Sequence, residues 1–216
     1  MAFLFSFGVF ADFQAAQDAY DAGDYETARK EWKALAEQGD VEAQYALGAM
    51  YHYAQGVTRD YKEAAKWYRI AAELGLASAQ LALGYIYEDG GYGGVQDYKE
   101  AVKWFRLAAE QGDTWGQFNL GKLYKKGEGV TQDYVIAHMW INISISNGNE
   151  RVKRIRDEVL ANRMTSEQIT KAEEVTEQGS GSTRPTASFH QNLDFLYNLN
   201  HIIITSRLTK HMAQFG

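Results

Sequence analysis

The chain has 216 residues, 45% hydrophobic and 23% charged, with 22 Lys and Arg against 28 Asp and Glu for a formal net charge of −6. This is the composition of a folded globular chain, and its acidic balance argues against a nucleic-acid binder, which needs a basic stripe. The lack of cysteine excludes disulfides, thiolate nucleophiles and zinc sites built on thiolates, and no apolar run approaches the roughly 18 residues of a membrane span.

Residues 1–11 are almost wholly apolar (Ala2, Phe3, Leu4, Phe5, Phe7, Val9, Phe10), and polarity rises at Asp12. The preferred reading is a shortened export signal, which favours an exported or periplasmic location over a cytoplasmic one. It has no basic n-region, so an apolar arm packed on the first helix is the alternative. Residues 12–39 follow as a degenerate helical hairpin, marked by Ala22-Gly23-Asp24-Tyr25, Ala28, Trp32 and Gly39.

Three clear copies come next, over 40–75, 76–112 and 113–148. Ala43-Gln44-Tyr45-Ala46-Leu47-Gly48-Ala49-Met50-Tyr51 recurs as Ala79-Gln80-Leu81-Ala82-Leu83-Gly84-Tyr85-Ile86-Tyr87 and as Gly116-Gln117-Phe118-Asn119-Leu120-Gly121-Lys122-Leu123-Tyr124. A second block pairs Asp60-Tyr61, Ala64 and Trp67 with Asp97-Tyr98, Ala101 and Trp104, then with Asp133-Tyr134, Ala137 and Trp140. Both blocks carry apolar residues at three- and four-residue spacing, so each predicts a helix. Asp60 stands at an N-cap position, and Gly39, Gly75, Gly112 and Gly148 stand where a left-handed C′ residue is wanted. Gly48, Gly84 and Gly121 lie mid-helix, where glycine costs about 1 kcal/mol against alanine. Their recurrence in phase predicts a close backbone neighbour, with a Trp or Tyr filling the gap. The fold class is therefore all-α, an α-solenoid of helix-turn-helix repeats with a right-handed superhelix. Trp67, Trp104 and Trp140 should be buried at equivalent places.

Residues 149–178 predict C-terminal capping helices, with Thr165 and Gln168 as a capping box. Residues 179–216 read as a flexible linker, Gly179-Ser180-Gly181-Ser182-Thr183-Arg184-Pro185, and a tail. The tail histidines His190, His201 and His211 match no metal-ligand spacing.

The pattern Ala-x-x-x-Leu-Gly-x-x-Tyr, then Gly-Val, Asp-Tyr, Ala, Trp and Gly, resembles the Sel-one-like repeat family of the tetratricopeptide-like superfamily, and of its bacterial type. The resemblance covers roughly Asp12 to Gly148 and implies a non-catalytic scaffold for protein interaction. Some members are described as β-lactamase-like, so a hydrolase is the alternative function. That chemistry needs S-x-x-K, S-D-N and K-T-G motifs, which are absent; Thr27-Ala28-Arg29-Lys30 has only the spacing. Gly116-x-x-x-x-Gly121-Lys122 falls short of a P-loop because Leu123 replaces the magnesium-holding Ser or Thr. His52 and His138 lack any catalytic context and read as surface histidines. No catalytic residue, cofactor or metal site is expected.

A partner should bind the first helix of each hairpin. With Leu47 at the centre of the core face, 100° per residue puts Tyr45, Ala49 and His52 at about 160°, 200° and 140°. The equivalent positions are Leu81, Tyr85 and Glu88, then Phe118, Lys122 and Lys125. These nine residues form the candidate concave stripe, and aromatic anchors among mixed charges suit a peptide or protein ligand.

Overall fold

A computed structural model describes residues 13–91, 96–157 and 164–179. The apolar leader and the tail after Gly179 lie outside the described residues. Every described element is a helix: α1 (13–21), α2 (Tyr25–Glu37), α3 (Val41–Tyr53), α4 (Tyr61–Glu73), α5 (Ala77–Asp89), α6 (Tyr98–Glu110), α7 (Thr114–Lys126), α8 (Tyr134–Ser146), a 3-10 turn (Glu150–Val152), α9 (153–157) and α10 (Ser166–Gly179). The chain divides into two compact units, residues 1–108 and 109–216.

Local chemistry sets the helix ends. Asp40 accepts a hydrogen bond from the Ala43 amide at 2.7 Å. Asp60 accepts from Lys62 and Glu63, Asp97 from Lys99 and Glu100, and Asp133 from Val135 and Ile136. Each satisfies amides that a helix start leaves without intrahelical partners. At the other ends Gly39, Gly75, Gly112 and Gly148 have φ of +96°, +97°, +91° and +104°, as their positions predict. The capping box also forms: Thr165 Oγ1 accepts from the Gln168 amide, and Gln168 Oε1 from the Thr165 amide.

In the first unit, α1, α2 and α3 bury Ala16, Ala28, Trp32, Leu35, Ala43, Leu47 and Met50 as one cluster. α3 packs between α2 and α4, and α4 packs in turn on α5. In the second unit α7 packs on α8, and α10 covers α8 from the other side. There Ile141 and Val152 are buried under Phe118, Tyr134, Ile145, Ile155 and Met164.

The glycine column is a packing contact in every repeat. A Cβ on Gly48 would fall 2.5 Å from Tyr68 Cδ1, and one on Gly84 would collide with the Phe105 ring. At Gly121 the neighbours are Ile141 Cγ1 at 2.8 Å and the Ala137 carbonyl at 2.9 Å. The expected backbone approach thus holds for Gly121, whereas in the two earlier repeats an aromatic ring occupies the space. Those rings follow the tryptophan column by one residue. Trp104 and Trp140 are buried, but Trp67 is only half-buried, with Lys66 Nζ 5.7 Å above its ring; equal burial of the column is corrected there.

A second repeated contact had no place in the sequence reading. Gln44, Gln80 and Gln117 are buried, and their side-chain amides donate to the carbonyls of Ala36, Ala72 and Ala109 at 3.2, 3.1 and 3.2 Å. Those carbonyls belong to the last turns of α2, α4 and α6, where each also accepts from the amide of the terminal glycine, Gly39, Gly75 or Gly112, at 3.1, 3.0 and 3.0 Å. Each glutamine therefore caps the preceding hairpin from the first helix of its own.

Candidate functional site

The first helices are more enclosed than an amphipathic helix with one buried face. Tyr45, Ala49, His52, Leu81, Tyr85, Phe118, Lys122 and Lys125 are all half-buried, and Glu88 is buried. The Tyr45 ring packs on Tyr68 with centroids 5.4 Å apart, and Tyr85 meets Phe105 edge-on at 5.3 Å. Phe118 packs on the Ile141 and Val152 cluster. The expectation that these side chains point away from the core is corrected: burial on folding accounts for part of each ring. The reason is plain for α3, which meets α2 on one flank and α4 on the other. A single core direction centred on Leu47 omits the second flank.

Two of these half-buried residues lie beside a concavity in the first unit. A cavity of about 260 Å³ is lined by His52 and Tyr53 of α3, Tyr61 of α4, and Tyr85, Ile86 and Asp89 of α5, with Gly91 beyond. Two of the candidate stripe residues, His52 and Tyr85, are therefore brought together. Tyr53 is 62% exposed and stacks on the His52 ring at 4.6 Å, while Tyr61 meets that ring edge-on at 5.3 Å. Gly91 lies against the Tyr61 ring, where a Cβ would sit 3.3 Å from Cγ.

Burial holds the His52 imidazole below its ordinary pKa, and the nearby Arg59 guanidinium adds to the effect; Asp89 pulls weakly the other way. His52 is therefore neutral at pH 7. Its Nδ1 is fully enclosed and makes no hydrogen bond. Arg59 itself lies 5.9 Å from the centre of the Tyr61 ring. Asp89 is exposed and forms no ion pair among the described residues.

Tyr53, Tyr61 and Asp89 were not recognised as site residues from the sequence. Their signal was present as phase: Tyr53 follows His52, and Tyr61 opens the recurrent Asp-Tyr block. Only the fold shows that α3, α4 and α5 bring them to one place. In the second unit, Trp115 is 41% exposed beside Phe118, with centroids 6.1 Å apart. Its position holds Glu42 and Ser78 in the earlier repeats, so no repeat column points to it. His138 also departs from its reading as a surface residue. It is 1% exposed, beside Asn142, and burial pushes its imidazole down to about 4.

Among the described residues no group of three or more His, Asp or Glu is placed to hold a metal ion. No described helix is long and apolar enough to cross a membrane.

Residues 41–76, 77–113 and 116–149 match the Sel1 repeat family. A search of curated proteins found no match. Among solved structures the chain is similar to a protective antigen of uropathogenic Escherichia coli strains with an SLR fold, at a TM-score of 0.69 and 32% identity. That likeness covers 79% of this chain and 37% of the antigen, so this chain spans little more than a third of that protein. It is similar also to a Sel1 repeat protein from Oxalobacter formigenes, at a TM-score of 0.64 and 29% identity, over 79% of this chain and 72% of that one. Proteins of this fold are typically interaction scaffolds and generally not enzymes. With three helical pairs that repeat the Asp cap of the second helix, a glycine packing point and the glutamine bond, the chain is a Sel1-like repeat protein with an all-α, solenoid-type repeat fold.

Proposed function

We propose that the chain is a non-catalytic scaffold that binds a peptide or protein segment on the surface of the first helices of its first unit, α3 and α5. The observation that carries this reading is the aromatic-walled cavity of about 260 Å³ beside α3 and α5. Small-molecule and cofactor sites usually enclose roughly 300–1,000 Å³. A smaller recess with an open tyrosine at its mouth suits one side chain of a larger partner, the way interface anchors fill pockets.

The tyrosines of α3 and α5 divide into two roles. Tyr45 mainly seals Tyr68 and supports the fold, whereas Tyr53 and Tyr85 present ring surface to the cavity.

The test begins with peptides selected from a random library on the full chain. Tyr53→Ala should weaken the selected peptide at least tenfold by calorimetry while circular dichroism stays unchanged. Unchanged binding by Tyr53→Ala removes this surface as the site.

A further inference from the structure

The cavity has a specific chemistry, and the inference drawn from it rests on the docking role just proposed. We propose that it receives the cationic head of one basic side chain of the partner, best an arginine, with the guanidinium between the tyrosine rings and Asp89.

Four features favour a cation over an apolar or anionic group. First, the walls are rings: Tyr53, Tyr61 and Tyr85, with the imidazole of His52 at the base. The negative face of a phenol ring attracts a cation within about 6 Å of its centre. Second, Asp89 supplies a carboxylate on the lining, exposed and outside any ion pair among the described residues. It gives an incoming guanidinium two acceptor oxygens, and it repels an anion. Third, His52 is neutral at pH 7, so its ring joins the aromatic wall without opposing the charge.

The fourth feature is Arg59. Its guanidinium already lies near the Tyr61 ring, 5.9 Å from its centre. A cation of the chain itself thus makes, with one of the lining rings, the kind of contact proposed for the partner. Arg59 is exposed and sits in the loop before α4. Its charge opposes a second cation at the same ring, so its removal should tighten binding rather than weaken it. That sign separates the proposal from any reading in which Arg59 is itself the anchor for an acidic partner.

The experiment uses the full chain and the pentapeptide Ac-Gly-Ser-Arg-Ser-Gly-NH2, with lysine, norleucine, phenylalanine and glutamate versions as comparisons. Binding is read from the side-chain NMR resonances of His52, Tyr53 and Tyr61. The arginine peptide should give saturable shifts at these rings and bind at least fivefold tighter than the norleucine and phenylalanine peptides. Asp89→Asn should weaken arginine binding at least threefold without altering norleucine binding, and Arg59→Ala should strengthen it about twofold. Equal or tighter binding of norleucine or phenylalanine overturns the cation assignment but leaves the docking reading standing. Preference for glutamate, loss of affinity in Arg59→Ala, or no saturable shift with arginine overturns it as well. The docking reading falls on its own test, when a library-selected peptide binds the Tyr53→Ala chain as tightly as the parent.

Discussion

The ring of Tyr68 lies so close over Gly48 that a methyl group on the glycine would fall 2.5 Å from Cδ1. Alanine at a helix interior normally gains about 1 kcal/mol over glycine. Here that gain is outweighed by overpacking, which costs typically 1–3 kcal/mol. Gly48→Ala should therefore lower stability by about 1–2 kcal/mol, seen as a lower denaturation midpoint in urea. Gly121→Ala should cost more, because its Cβ meets the Ala137 main-chain carbonyl at 2.9 Å and no ring can turn aside. Stabilisation by either change would contradict the contact.

Ala54 gives the opposite sign. It closes α3 at φ 59°, in the left-handed region, where the equivalent positions of α5 and α7 are Gly90 at +73° and Gly127 at +74°. A non-glycine residue held there costs roughly 1–2 kcal/mol, partly offset by the extra freedom glycine has when unfolded. Ala54→Gly should raise stability by about 0.5–1 kcal/mol, measured by urea denaturation, with unchanged helicity.

The buried glutamines predict the loss of one ordinary hydrogen bond each. Without the Gln80 amide the Ala72 carbonyl keeps its main-chain donor, the Gly75 amide at 3.0 Å. Such a loss costs about 0.5–1.5 kcal/mol. Gln80→Leu should be destabilising despite its added apolar surface, and amide exchange should accelerate in the last turn of α4. A neutral result would show that the glutamine column is replaceable packing.

Acidity should act mainly through His138. Its imidazole sits near pKa 4 when folded and at about 6.5 when free, so between those values the unfolded chain binds more protons. Stability should be fully present above pH 6.5 and should fall, by on the order of 2 kcal/mol, as the pH drops towards 4. His52 contributes with the same sign. Asp113 and Asp133, whose carboxyls are raised by burial, act oppositely, since protonation suits their folded environment. Their effect sets in as the pH falls through the raised folded values and is complete below the ordinary carboxylate range, so it partly offsets the loss near pH 4. His138→Gln should flatten the dependence between pH 6.5 and 5; an unchanged slope there would mean that other groups carry it.

The hairpins, their Asp N-caps and their terminal glycines were legible because each depends on neighbours a few residues away and recurs in phase. Gly48, Gly84 and Gly121 were read correctly as points of close approach, since a residue that costs stability in a helix must be compensated outside it. The identity of what approaches was not readable. Tyr68, Phe105 and Ile141 hold one column but differ in size, so ring and backbone share the space differently. The orientation of Tyr45, Tyr85 and Phe118 was misjudged because helical phase gives one core direction, whereas a stacked helix such as α3 has two contacting flanks. Gln44, Gln80 and Gln117 recurred visibly, yet their acceptors lie eight residues upstream across a turn, where no intrahelical rule reaches. His138 lies in a helix buried on almost every side, so its histidine looks like an exception only after folding.

The three hairpins are latched by the same main-chain bond, from the amide of Asp60 to the Tyr51 carbonyl, of Asp97 to Tyr87 and of Asp133 to Tyr124, at 3.1, 2.9 and 3.0 Å. The second pair stands one residue further apart in the chain than the others, yet the latch is unchanged. The latch thus tolerates a change of one residue in the length of the segment it closes. Segment length can vary under selection while the helical frame stays in register. The loop before α4, which carries Arg59, and the glycine-rich one after α5 are the places where such a chain can acquire a new preference without relearning how to fold.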